Sequence, residues 1–144
     1  MRSPTEPLGL IRPNPVPAAM TAQPLVVVVD DNESVRESLP GLLKQVGFAV
    51  RAFASAEAFL ASDAADAASC LVLDVSMPLM SGPDLQRELI RRAKDLPIVF
   101  ITGQAERLVP ARVLAAGAVA CLFKPFSDTA LLEAVHSAVS LRSA

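Results

Sequence analysis

The sequence predicts an α/β fold in which five strand–helix units build a parallel sheet covered on both faces. Three observations point there. Short, continuous aliphatic runs recur along the chain, as strands buried on both faces require. Between them, apolar residues return at the spacing of one helical face. Glycine closes the first and fourth of these helical stretches, at Gly47 and Gly117. Alternation of this kind belongs to a parallel sheet with crossover helices rather than to a sandwich or a bundle.

Leu25–Val29 is an unbroken apolar run and forms the first strand. Val35, Leu39, Leu42, Leu43 and Val46 follow at helical spacing. Ser34 stands three residues before Glu37, the spacing of a capping box, which puts Pro40 inside this first helix. An interior proline removes a hydrogen bond and kinks a helix at a cost of roughly 3 kcal/mol. The other reading starts the helix later, after an irregular turn. Phe48–Phe53 is the second strand, and Ala56, Phe59 and Leu60 mark a short helix. Cys70–Leu73 is the third strand; the helix carrying Leu85 and Leu89 fades near Lys94. Ile98–Ile101 is the fourth strand, followed by a helix through Val109, Val113 and Ala116, with Pro110 at its favoured place near a helix start. Val119–Phe123 is the fifth strand, and Leu131, Val135, Ala138 and Val139 mark the last helix. Periodicity leaves the strand order open.

Residues 1–24 stand apart. Pro4, Pro7, Pro13, Pro15, Pro17 and Pro24 are half of the twelve prolines, and no strand or helix period runs among them. A flexible tail is expected there, with one domain over residues 25–144. A ligand for a proline-recognising domain and a native start at Met20 are further readings of that segment.

The chain has 144 residues, 52 % of them hydrophobic and 19 % charged, which suits one domain with a single core. Its formal net charge of -2 offers no basic footprint for nucleic acid, so DNA binding by this chain alone is not expected. The longest aliphatic run, Leu25–Val29, is far too short for a membrane span. The N-terminus lacks the apolar stretch of a secretory signal, so a cytoplasmic location is the default expectation. Cys70 and Cys121 are isolated, without the spacing of a zinc site, and read as small buried hydrophobes.

In open parallel sheets, ligands bind beyond the carboxyl ends of the strands. The first strand ends in Asp30 and Asp31, the third in Asp74, the fourth in Thr102 and the fifth in Lys124. Two like charges about 4 Å apart repel by roughly 4 kcal/mol at an effective dielectric near 20. One lysine does not neutralise three acids. A divalent cation does, and an all-oxygen set suits Mg²⁺. Asp30 or Asp31 taken alone reads better as a helix-opening residue; their convergence with Asp74, Thr102 and Lys124 favours a site. A carboxylate beside Mg²⁺ can act as nucleophile toward a phosphoryl group, with Lys124 and Thr102 contacting the phosphoryl oxygens. Asp74, on the third strand between the acid pair and the Thr/Lys pair, is the candidate nucleophile.

The segments VVVVDDNESVRESL, CLVLDVSMPLMSG, FITG and GAVACLFKPF, in this order and at these intervals, resemble the receiver domains of bacterial two-component response regulators. The resemblance runs from about Leu25 to Leu141, and its wording is most similar to receivers joined to LuxR-type helix-turn-helix output domains. It implies a doubly wound, flavodoxin-like (βα)₅ fold with sheet order 2-1-3-4-5. It implies direct Mg²⁺ binding by Asp31, Asp74 and the backbone carbonyl of Ser76, with Asp30 acting through water. It further implies phosphorylation of Asp74, phosphoryl contacts from Thr102 and Lys124, and a cis Lys124–Pro125 bond. The implied partners are a sensor histidine kinase or phosphotransfer protein and a downstream protein bound at the face of the fourth helix, fifth strand and fifth helix. A homodimer through that face would fit, although no residue singles it out. The chain reads as a signalling module rather than an enzyme.

Departures from the family pattern are Cys121, where an aromatic switch residue usually stands, and Pro40 in the first helix. The absence of an output segment after Ala144 suits either a single-domain regulator or the N-terminal part of a longer transcriptional regulator. A receiver-like interaction module that needs no phosphorylation is the main alternative. A haloacid-dehalogenase-type phosphatase would need its nucleophile at the end of the first strand in a DxD arrangement, whereas this segment is DDNES. A flavodoxin-like nucleotide binder would not place two acids in its phosphate loop. His136 reads as a surface histidine, and Arg87, Arg91 and Arg92 as a solvated face.

Overall fold

The computed structural model describes residues 23–103 and 107–143. Its elements are β1 (Leu25–Val29), α1 (Glu33–Gln45), β2 (Ala49–Phe53), α2 (Ala56–Leu60), α3 (Ala64–Ala67), β3 (Cys70–Asp74), α4 (Gly82–Arg91), β4 (Ile98–Thr102), α5 (Val109–Ala115), β5 (Ala120–Phe123) and α6 (Asp128–Ser143). The strands pair in parallel in the order β2-β1-β3-β4-β5, the flavodoxin-like arrangement that the resemblance implied. The short α3 was not anticipated, since four residues carry too little apolar pattern to register as a helix. It shifts the later helix numbers, so the expected docking face is α5–β5–α6.

The period-two geometry of the strands divides the core into two layers. Val27 and Val29 of β1, with Leu71, Leu73 and Phe100, face a cluster containing Phe59, Leu85, Leu89 and Val113. Val26 and Val28, with Val72, Val99 and Ile101, face Leu39 and Leu43 of α1 and Leu131 and Val135 of α6. Each fully buried aliphatic side chain contributes roughly 1.5–3 kcal/mol relative to exposure. In β1, β3 and β4 this two-sided burial leaves nothing polar before the last residue.

Helix α1 begins two residues earlier than the Ser34 capping box predicts. Asn32 is the N-cap, and its side chain accepts from the Ser34 amide at 2.8 Å. Asparagine satisfies the free amides of a first turn as well as serine does, and here it comes first. Pro40 lies inside the helix. Pro110 sits in the first turn of α5, as expected. The Pro24 carbonyl accepts from Ala49 N at 3.0 Å, beside the start of β1; the rest of the Pro-rich tail, through residue 22, and Met20 lie outside the described residues.

The two sheet edges differ. Edge strand β2 carries Arg51, whose guanidinium lies 5.3 Å from the Phe53 ring centre and bonds Asp63 at 2.9 Å. Edge strand β5 carries no charge, and its Phe123 is exposed. The arginines of α4 are paired on the surface: Arg87 with Asp84, and Arg91 and Arg92 with Glu88 at 2.5 and 2.6 Å. Hydrogen bonds from Arg91 and Arg92 hold the Glu88 carboxyl down at about 2. His136 is exposed but not solitary, its ring standing 5.1 Å from that of Phe48. Cys70 is buried, which pushes its thiol up to about 12, whereas Cys121 is only partly buried. Among the described residues, no helix is long and apolar enough to cross a membrane.

Candidate functional site

Asp30 follows β1 directly and is fully buried. Its amide continues the ladder to Phe53 O at 3.2 Å, its Oδ1 accepts from Asn32 N at 2.9 Å, and its carbonyl accepts from Arg36 Nη1 at 2.9 Å. The carboxylate is therefore fixed by the same turn that starts α1. Asp31, next in the chain, is exposed. Asp74 ends the central strand β3, opposite Ile101 of β4, and is buried. One carboxylate oxygen from each of the three acids lies within 4.8 Å of the others.

Lys124 reaches this cluster from the end of β5. Its Nζ lies 3.4 Å from Asp30 Oδ2 and 3.5 Å from Asp74 Oδ1. The Lys124 amide donates to the Thr102 carbonyl at 2.8 Å, and the Lys124–Pro125 bond is cis, as the resemblance implied. Thr102 is buried at the end of β4, where its hydroxyl donates to the Gly103 carbonyl at 3.2 Å. Ser76 lies exposed in the loop after Asp74, beside a shallow cleft of about 640 Å³ that Met77, Pro78 and Val109 also line.

Burial, the charge of Asp30 and, to a smaller degree, that of Asp31 push the Asp74 carboxyl up to about 6, against the opposing pull of Lys124. One ammonium at these distances leaves the repulsion among three acids unrelieved. An all-oxygen donor set, two of its three acids buried, with uncompensated negative charge is the environment that a hard divalent cation fits. The cluster can thus hold a metal through Asp30, Asp31 and Asp74.

Gly82 explains how Asp74 is held, and sequence reasoning missed it. Gly82 opens α4, its amide donates to Val75 O at 2.9 Å, and a side chain there would have its Cβ only 2.4 Å from the Asp74 carbonyl oxygen. Ser81 and Asp84 cap the helix reciprocally, each side chain accepting from the other's amide at 3.2 Å. That Ser-x-x-Asp spacing was the available signal. In the same loop Leu79 adopts φ 68 while almost wholly exposed. Leu79→Gly is expected to raise stability by roughly 0.5–1 kcal/mol, the relief of left-handed strain being partly offset by glycine's freedom when unfolded. Urea unfolding checks this; a loss of stability would mean that the leucine side chain supports the loop.

Residues 26–136 match the family model of the response regulator receiver domain. The chain belongs to that family. This receiver domain is 47 % identical over 114 residues to nodulation protein W of Bradyrhizobium diazoefficiens, covering 79 % of this chain and 50 % of that protein. Among solved structures, it is similar to the response regulator StyR (43 % identity, TM-score 0.79, 85 % of this chain and 62 % of that one). It is also similar to FixJ-N (41 % identity, TM-score 0.75, 83 % of this chain and 95 % of that one). The receiver spans about half the length of the curated relatives it matches. Cys121 stands on β5 opposite Phe100 of β4, half-buried against the cluster that includes Leu85 and Val113.

Proposed function

We propose that this receiver accepts a phosphoryl group on the Asp74 carboxylate from the phosphohistidine of a sensor histidine kinase or phosphotransfer protein. An Asp74 oxygen forms the new O–P bond as the donor's N–P bond breaks, and the imidazole leaves with its electron pair. The observation that carries this reading is the convergence of Asp30, Asp31, Asp74 and Lys124 from the ends of β1, β3 and β5. Asp31, Asp74 and the Ser76 carbonyl would hold Mg²⁺ directly, with Asp30 acting through water. The ion supplies charge neutralisation for the phosphoryl oxygens. Lys124 is placed to exchange its contact with Asp74 for one with the phosphoryl group. Thr102 would turn its hydroxyl from Gly103 toward the same group. The module signals rather than turning over a substrate, and the modified state biases the α5–β5–α6 face toward a downstream partner. We read the chain as one domain from residue 25 to 144, preceded by a tail.

Mass spectrometry after incubation with Mg²⁺ and acetyl phosphate tests this. Wild type is expected to gain one phosphoryl group, and not to gain it when EDTA is present, whereas Asp74→Asn gains none. Equal labelling of the variant would sink the assignment. Cys121 keeps a second reading open, because a thiol cannot make the large ring movement of an aromatic switch. If wild type is labelled but the α5–β5–α6 face does not respond, the module acts through partners independently of phosphorylation.

A further inference from the structure

Four polar side chains are buried among the described residues: Asp30, Asp74, Thr102 and Gln86. Asp30 and Asp74 meet at the acidic site, and Thr102 ends the neighbouring strand β4. Gln86 is not part of that site. It lies on α4, one turn after Gly82, and its Nε2 donates to the carbonyl of Val113 on α5 at 3.1 Å. That carbonyl already accepts the Ala118 amide at 2.9 Å, while Gly117 (φ 110) donates to Leu114 O at 3.0 Å, so the end of α5 is closed without help. Burying an amide is unfavourable unless it is hydrogen-bonded, so the buried Gln86 side chain is held to α5 by this bond.

Helix α5 is weakly held elsewhere. It has seven residues, its N-cap Leu108 makes no side-chain cap bond, and Val113 is its one buried residue. Cavities of about 190 and 150 Å³ flank Gln86, the first reaching Pro83, Val109 and Arg112, the second reaching Lys94 and Gly117. The seam between α4 and α5 is therefore spanned at Gln86 with space on either side. Helix α4 is joined to the acceptor strand through Gly82 without slack. Helix α5 follows Thr102 in the chain. The Gln86–Val113 bond thus joins the helix that follows Asp74 to the helix that follows Thr102.

We infer that Gln86 is a positioning residue of the switch: it tethers α5 in its unphosphorylated placement, and the phosphorylated state is reached by releasing that tether. This rests on the phosphoryl-acceptor reading above. The voids on either side of the bond leave α5 room to move relative to α4 once the tether is released.

The test compares wild type with Gln86→Met, which keeps side-chain length and removes the donor. Hydrogen exchange at residues 113–118 is measured before and after acetyl phosphate with Mg²⁺, alongside the rate of mass gain. Wild type is expected to exchange faster in this segment once phosphorylated. The variant is expected to exchange fast already and to phosphorylate roughly five-fold faster, the equivalent of one neutral hydrogen bond lost from the resting state. A merely structural role would not raise that rate. An exchange difference in the variant as large as in wild type overturns the tether, as does a wild type whose segment does not respond although its mass increases. The wild-type arm decides the matter even if the variant fails to fold. A wild type that gains no mass overturns the acceptor reading and the tether with it.

Discussion

Metal-free protein is expected to become more stable as the pH is lowered from about 7 to about 5. The Asp74 carboxyl is raised from 3.8 to about 6 by burial and by the charge of Asp30. The folded state therefore binds a proton that the unfolded state releases across this window. Above the folded value both states are ionised and the folded state carries the full penalty; below the unfolded value both are protonated and the penalty vanishes. A shift of about two units corresponds to roughly 3 kcal/mol at most. The window is clear of the surface pairs, since Glu88, held at about 2, loses its contribution only below its ordinary value of 4.5. Asp74→Asn is expected to be more stable than wild type at neutral pH and to lose this acid-side gain. Mg²⁺, which requires the ionised form, should stabilise wild type at neutral pH and not the variant. Urea unfolding in EDTA at both pH values checks the sign, and a wild type that weakens on acidification to pH 5 would show that repulsion at the site is already relieved.

The second large effect is expected at Gly82. A Cβ there would stand 2.4 Å from the Asp74 carbonyl oxygen and 3.0 Å from both the Phe100 ring and Val75 Cα. Two of these neighbours are backbone and cannot rotate away, so Gly82→Ala must displace the start of α4 or the end of β3. A cost of about 3 kcal/mol is expected from overpacking. Because the displaced carbonyl belongs to Asp74, the proposed acceptor, labelling by acetyl phosphate should also slow, on the order of tenfold or more. Gly41, inside α1 with nothing within 4 Å of an added Cβ, is the control. Gly41→Ala is expected to gain up to about 1 kcal/mol in helix propensity without changing labelling. Parity between the two substitutions would mean that the loop after Asp74 yields easily.

What the sequence revealed and what it hid divide along physical lines. The strands could be read because two-sided burial leaves an unbroken aliphatic run, as in Val26–Val29 and Cys70–Leu73. Asp30, Asp74, Thr102 and Lys124 could be read because a parallel sheet aims all its strand ends the same way. Asn32 was missed as a cap because a serine two residues later offered an equally good local pattern. Gly82 and Gln86 were missed for another reason: what fixes each is an atom from another element, the Asp74 carbonyl and the Val113 carbonyl. Such proximity leaves no period in the chain. Nor does residue type foretell that the Thr102 hydroxyl turns to Gly103.

The unlike edges of the sheet bear on how the molecule fails when stressed. An open strand edge is a template for another chain, and a charge in mid-strand is the usual guard against it. At β2, Arg51 supplies that guard, anchored by Asp63 and the Phe53 ring. At β5, Ala120–Phe123 offers four uncharged residues, three of them half-buried beneath neighbouring helices. Loss of the lightly anchored α5 would bare this side and not the other. Aggregation on heating should then grow from one edge, and a lysine at Phe123 would be the substitution to slow it.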